Sequence, residues 1–108
     1  MSTHPIRISV PRQASPGEAV EVRVLIQHDM ESGYRRDAFG KAIPRNIIKH
    51  FECRYDGAVV FAAEFFPGIA ANPYLSFYIR AATTGELVFT WTDQHGERWR
   101  DSRELRVG

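Results

Sequence analysis

The chain has 108 residues, of which 44% are apolar and 25% are charged. This length predicts one domain over residues 1–108, and this composition is typical of a folded globular chain rather than a disordered one. Fourteen basic and thirteen acidic side chains leave a formal net charge of +1. So small a charge gives no general attraction to nucleic acid or to an anionic membrane, and we expect neither as a partner.

Little in the sequence points directly to a cellular compartment. Cys53 is the only cysteine, so no intramolecular disulfide can form and cysteine usage does not reveal the redox environment. No stretch approaches the roughly 18 apolar residues of a membrane span. Residues 1–11 lack the apolar core of a secretory signal. Taken alone, this predicts the cytoplasm, unless the chain is exported bound to a partner that has a signal.

Apolar and polar side chains alternate along most of the chain. This period of two predicts strands at residues 6–10, 20–26, 51–55, 59–66, 75–81, 87–92 and 99–107. Asp56-Gly57 is the strongest hairpin signal, and no segment has a helical period. About seven antiparallel strands with regularly spaced turns predict an all-β, immunoglobulin-like β-sandwich. The Cys…Trp…Cys pattern of antibody domains is absent.

Residues 28–46 interrupt this alternation for longer than a turn requires. They contain two glycines, one proline and seven charged side chains, besides His28. Long irregular loops in small domains usually have a function, although plain irregular packing is the alternative. We expect this loop to bind partners through Met30, Tyr34, Arg35, Arg36 and Arg45.

A second irregular segment, residues 67–73, leads into a strand through Asn72-Pro73-Tyr74. An aromatic side chain beside a turn at the end of a sheet is typical of recognition sites in sandwiches. The alternative is a purely structural turn. We therefore add Asn72 and Tyr74 to the predicted contacts.

No catalytic, cofactor-binding or metal-binding residue is predicted. Cys53 lies mid-strand between Phe51 and Tyr55 on the same face, which indicates a buried and inert thiol rather than a nucleophile. The polar clusters of the turns lack any recognised ligand spacing; they contain His28, Asp29, Glu31, Asp93 and His95.

The two tryptophans differ in their expected surroundings. Trp91 shares a strand face with other large apolar side chains and should be buried. Trp99 lies among several arginines, a mixture that also occurs in proteins that bind single-stranded nucleic acid. Three acidic neighbours dilute that charge, so a solvated strand face with cross-strand pairs is the favoured interpretation.

The two irregular segments resemble one known family. The stretches HDMESGYRRD (residues 28–37) and GKAIPR (residues 40–45) are similar to the pattern H-x-M-E-T-G-x-R-x-D…G-x-x-I-P-R of SoxZ, a subunit of the thiosulfate-oxidising Sox system. ANPYLSF (residues 71–77) and FTWTD (residues 89–93) are similar to that family as well. The likeness extends from about residue 6 to residue 108, and Ser32 in place of threonine is the one departure in the loop.

The resemblance implies a non-catalytic subunit without a cofactor. SoxZ-like chains are immunoglobulin-like sandwiches that pair with SoxY in the SoxYZ heterodimer. A cysteine on a Gly-rich C-terminal arm of SoxY carries the sulfur intermediates to the other Sox enzymes, which make transient contacts. Residues 105–108 contain no such arm, so we expect the partner half of this complex, located in the periplasm after export with SoxY.

Such a subunit needs spare apolar strands to cover a permanent partner. The hairpin around residues 59–66 offers apolar side chains to both faces, and we expect Val60 and Phe66 to contact SoxY. Two alternatives remain. One is a stand-alone immunoglobulin-like binding module, and the other is an enzyme that uses Cys53 as a sulfur acceptor.

Overall fold

The computed structural model describes residues 5–108. Residues 1–4, part of the N-terminal segment searched for a signal, lie outside the described residues. Eight strands follow in chain order: β1 (Ile6–Ser9), β2 (Gln13–Ala14), β3 (Ala19–Ile26), β4 (Ile48–Tyr55), β5 (Ala58–Glu64), β6 (Tyr74–Arg80), β7 (Gly85–Asp93) and β8 (Arg98–Val107).

The strands form two sheets that enclose one core. One sheet has the strand order β1-β3-β6, and the other has the order β2-β8-β7-β4-β5. Neighbouring strands run antiparallel, except that β2 pairs parallel with β8 over two residues. The predicted β-sandwich is confirmed, and β2 is one short strand more than the seven predicted. β5 and β6 are edge strands, each paired on one side.

Alternate side chains of the long strands are buried, as the sequence pattern predicts. Along β3 and β7 the side chains alternate between buried and more exposed positions almost without a break. Buried residues from both sheets form one apolar cluster. Burial of each large apolar side chain stabilises the fold by about 1.5–3 kcal/mol. Trp91 is fully buried, as expected. The largest buried side chains are Trp91, Phe51, Phe89, Ile26, Ile47, Ile48, Leu87 and Leu105.

The Asp56-Gly57 hairpin also forms. Both residues have positive φ, 49° and 82°, as the tight turn that suits twisted antiparallel strands requires. The register between β4 and β5 shifts after Cys53, which leaves Val60 as an additional, unpaired residue of β5. Such a β-bulge twists an edge strand and hinders pairing with a further strand.

Trp99 differs from its expected place on a solvated face. It is half-buried against the core, and its ring meets that of His28 edge-on with centroids 6.3 Å apart. Its neighbours Arg98 and Arg100 are exposed, because successive side chains of a strand point to opposite faces. Aromatic and basic side chains therefore do not share one surface here.

No helix within residues 5–108 has the length and apolar character needed to cross a bilayer.

Candidate docking surfaces

The loop at residues 28–46 contains an ordered arm, which we define as residues 31–46. Its two sides pair through isolated bridges, Glu31 with Asn46 and Arg36 with Ala42. Glu31 and Asn46 exchange two backbone hydrogen bonds of 2.8 Å. A third, also of 2.8 Å, runs from the Ile43 N–H to the Arg35 carbonyl and holds the two sides of the arm together. Residues 34–42 are exposed without exception. The arm is therefore held by its own hydrogen bonds and leaves the body of the sandwich.

The tip of the arm is a turn that several hydrogen bonds stabilise. The carboxylate of Asp37 accepts hydrogen bonds from the N–H groups of Phe39 and Lys41, at 2.9 and 3.0 Å. The Asp37 N–H donates to the carbonyl of Lys41, and the Arg36 guanidinium donates to the carbonyl of Gly40 at 2.8 Å. Gly40 has a φ of 78°, which glycine adopts without a steric penalty. Phe39 is 94% exposed at this turn.

The base of the arm is anchored in the core. The Met30 N–H donates to Nδ1 of the buried His28 at 2.9 Å. Met30 has a φ of 54°, and its side chain is only 5% exposed. Its Sδ accepts a hydrogen bond from the Ile48 N–H at 3.2 Å. Met30 was expected to contact a partner, but its side chain packs inward and fixes the direction in which the arm leaves.

The second irregular segment fastens this base. Asn72 donates its N–H to the carbonyl of His28 at 2.7 Å, and its Oδ1 accepts the His28 N–H at 2.9 Å. Asn72 has a φ of 55°, a conformation that asparagine tolerates better than most residues. The predicted turn residue and the predicted loop thus lie together, with Asn72 in a structural position beside the exposed Tyr74.

The remaining predicted contacts of the loop are exposed. Tyr34 is 87% exposed. Arg35 forms an ion pair with Glu31, and this hydrogen-bonded partner lowers the pKa of the Glu31 carboxyl. Arg45 donates from Nε to Gln94 Oε1 at 3.0 Å, and Gln94 returns a hydrogen bond to the Arg45 carbonyl. Arg45 therefore joins the arm to the turn between β7 and β8.

Gly33 lies close to Arg45 on the opposite side of the arm. Its φ is 92°, and a Cβ at this position would lie 3.3 Å from the Cβ of Arg45. Only glycine adopts this conformation readily and allows the two sides of the arm to approach so closely.

Another exposed apolar region lies along the adjoining edges of the two sheets. The rings of Phe61 on β5 and Phe77 on β6 stack at 4.1 Å with an interplanar angle of 3°, so the two edge strands meet on one side of the sandwich. We define the β5–β6 edge by five exposed large apolar side chains on these strands or just after β5, which are Val59, Val60, Phe66, Tyr74 and Tyr78.

The β5–β6 edge contains three residues that were predicted as contacts and two exposed residues that were not. Val60, Phe66 and Tyr74 were predicted, whereas Val59 and Tyr78 were not. Phe66 and Tyr78 are 64% and 67% exposed. The alternation of β6 could have marked Tyr78, since it lies on the same face as Tyr74.

A cleft of about 550 Å³ lies where the base of the arm approaches the end of β5. Its lining includes Arg45, Lys49, His50, Glu64 and Phe66. The cleft therefore connects the arm to the β5–β6 edge with a mixed apolar and charged wall.

Cys53 is buried, as predicted. Its side chain is 0% exposed, and desolvation raises the pKa of its thiol from 9.0 to about 12. A thiol with so little thiolate is a poor nucleophile at neutral pH. Within residues 5–108, no group of three or more His, Cys, Asp or Glu side chains is placed to hold a metal ion.

This burial predicts a pH effect. An unfolded cysteine ionises near pH 9, whereas the folded thiol stays protonated to about pH 12. The folded state thus binds more protons in this window, and the free energy of unfolding falls as pH rises, by at most about 1.4 kcal/mol per unit. Urea unfolding of the native chain and of Cys53→Ala from pH 8 to pH 11 should show the shallower slope in the variant. Equal slopes, or alkylation of the folded chain by iodoacetamide at neutral pH, would contradict the buried thiol.

Comparison with known proteins identifies the family of this chain. The family model described as sulphur oxidation protein SoxZ matches residues 6–104. The chain belongs to the SoxZ family. This confirms the resemblance inferred from the two irregular segments and associates the chain with the Sox system of sulfur oxidation. A search of the curated proteins finds no match.

Solved structures share the sandwich. The sulfur carrier protein SoxY from Chlorobium limicola f thiosulfatophilum is 21% identical with a TM-score of 0.68, over 95% of this chain and 78% of that chain. Superoxide reductase (neelaredoxin) from Ignicoccus hospitalis is 19% identical with a TM-score of 0.71, over 97% and 81%. At these identities the likeness concerns the fold alone.

Proposed function

We propose that this SoxZ-family chain is the non-catalytic partner of SoxY in a periplasmic sulfur-carrier heterodimer. The family match over residues 6–104 is the observation that most supports this assignment. In this complex SoxY provides the cysteine that holds the sulfur intermediate. The present chain provides a rigid sandwich that supports SoxY, and it enters the periplasm bound to SoxY.

The β5–β6 edge is the surface proposed to contact SoxY. It has five exposed large apolar side chains, and two of them are tyrosines, which are enriched in protein interfaces. Permanent interfaces are more apolar than transient ones. The edge meets this requirement better than the arm, which exposes only two large apolar side chains, Tyr34 and Phe39.

The contact is proposed to form through side chains rather than through a shared sheet. The bulge at Val60 interrupts the regular pairing of β5 and hinders the addition of a further strand there. Val60 and Phe66 would instead pack into SoxY as apolar groups.

The buried Cys53 agrees with a non-catalytic role. Its thiol is inaccessible and strongly disfavours ionisation, so it is unsuited to accept sulfur from a substrate. The reactive cysteine is therefore assigned to SoxY and not to this chain.

Val60→Asp and Phe66→Asp should each weaken the complex with SoxY. Burying a carboxylate without a partner costs several kcal/mol, so we expect at least a hundredfold loss of affinity, to order of magnitude, and no co-purification for the double variant. Co-expression with tagged SoxY followed by size-exclusion chromatography measures this result. Thermal unfolding of the isolated chain should change little, because both side chains are exposed.

Tyr34→Asp is the matched control, since it adds the same charge at an exposed ring of the arm. It should leave co-purification intact. Full co-purification of the double edge variant would exclude the edge as the interface. A native chain that remains a stable monomer in the presence of SoxY would instead favour a stand-alone binding module.

A further inference from the structure

The arm exposes two aromatic rings to solvent, one of them in the turn at its tip. Phe39 is 94% exposed and Tyr34 is 87% exposed. Leaving such rings in water forgoes the free energy of apolar burial, which is about 1.5–3 kcal/mol for a phenylalanine. Single exposed apolar side chains are common on protein surfaces, so the way in which the Phe39 ring is held decides whether it can act as an anchor.

The arrangement at the tip is fixed. Asp37 receives the N–H groups of Phe39 and Lys41, and Arg36 bonds to the carbonyl of Gly40. The ring of Phe39 is therefore presented by a turn that is already formed. A preorganised anchor loses little conformational entropy on binding, which favours affinity for a complementary pocket.

The charge of the arm limits which pocket it fits. Residues 31–46 contain four basic side chains and two acidic ones, Glu31 and Asp37, a net charge of 4 − 2 = +2. Glu31 is paired with Arg35, and the Asp37 carboxylate is engaged by backbone N–H groups. The charge left to attract a partner is positive, so the complementary pocket has carboxylates around its rim.

A second copy of this chain is a poorer match. The apolar groove on the outer face of the three-stranded sheet, of about 270 Å³, is flanked by Arg7 and Arg23, which would repel the arm. In the cleft beside the arm, Arg45 and Lys49 are balanced by Glu64 and Asp93. Neither of these two sites has the excess of carboxylates that the charge of the arm favours.

We propose that the arm docks transiently on an enzyme that acts on the loaded carrier, with Phe39 inserted into an apolar pocket rimmed by carboxylates. The choice of partner rests on the proposed function. SoxY is the less suitable occupant, because a small, charged and protruding contact suits transient encounters, in which electrostatic attraction accelerates association. The β5–β6 edge then holds SoxY while the arm selects the enzyme.

The test uses the purified complex of this chain with SoxY, immobilised for surface plasmon resonance. The cytochrome, hydrolase and dehydrogenase components of the same system are titrated one by one. We expect at least one component to bind, and Phe39→Ala to weaken that binding at least about tenfold, as for an aromatic anchor. Phe39→Leu, which keeps an apolar anchor, should retain most of the affinity.

Charge is tested separately. Lys41→Glu on the arm should weaken binding and reduce its dependence on salt, whereas Arg12→Glu, an equally charged change before β2, should not. Both variants keep the backbone N–H groups that the turn uses.

Three outcomes would overturn the proposal: equal binding of the Phe39→Ala complex, no binding of any component to the native complex, or loss of SoxY from Phe39→Ala. The last outcome would assign the arm to the SoxY contact. If the native chain does not assemble with SoxY, the proposed function fails. The same titration is then made on the chain alone, where Phe39→Ala still decides the role of the arm.

Discussion

Phe51→Ala should lower the free energy of unfolding by about 4 kcal/mol, within the usual range of about 3–5 kcal/mol for a buried phenylalanine. Phe51 is 0% exposed. Its ring lies 4.9 Å from that of Trp91 and 5.9 Å from that of Phe77, measured between centroids. These contacts join the interior of the five-stranded sheet to the edge strand of the other sheet. The cavity that Phe51→Ala leaves therefore cannot close unless both sheets move.

Urea denaturation followed by tryptophan fluorescence measures this loss. Phe66→Ala is the matched control, because it removes the same ring from an exposed position and should change the free energy of unfolding by no more than about 0.5 kcal/mol. Phe51→Leu, which refills most of the cavity, should recover a large part of the stability. A loss below 1.5 kcal/mol for Phe51→Ala would mean that Phe51 does not join the two sheets as described.

The same position connects stability to the proposed SoxY contact. Phe51 also packs near Phe61, which stacks on Phe77 between the two edge strands. A Phe51→Ala chain that remains folded at low temperature should therefore bind SoxY more weakly than the native chain, although residue 51 touches no partner. The loss of affinity would arise from displacement of the edge strands.

Alternation of side chains made most of this fold predictable. In β3 and β7 one face is mainly apolar and the other mainly polar, so the period of two indicates which residues are buried. The two-residue strand β2 was missed because such a short segment has no period. The bulge at Val60 was missed for a different reason, since it depends on how β5 pairs with β4 and not on either strand alone.

The candidate sites were only partly predictable. The unusual length and charge of the loop identified it, but not the direction of its side chains. Met30 has a positive φ, which turns its side chain into the core, and nothing in the sequence near it shows this. Phe39 was missed because its exposure depends on the turn built by Asp37, which is visible only once the hydrogen bonds are known.

Met30 is now expected to act as an anchor rather than as a contact. Its side chain is buried, and its Sδ receives the Ile48 N–H at 3.2 Å where β4 begins. Met30→Ala should therefore lower the free energy of unfolding by about 2–4 kcal/mol, because it leaves a cavity and removes this acceptor. Met30→Leu, which keeps the volume but not the sulfur, should cost less than about 1.5 kcal/mol.

Hydrogen exchange separates the anchoring role from a general loss of packing. In Met30→Ala the Ile48 amide should exchange faster than the amides of β7, because its acceptor is lost and the base of the arm opens locally. The Phe39 tip would then be presented less rigidly, and docking of the complex on its enzyme should weaken although Phe39 is unchanged. Native stability together with native exchange at Ile48 would show that Met30 does not hold the arm.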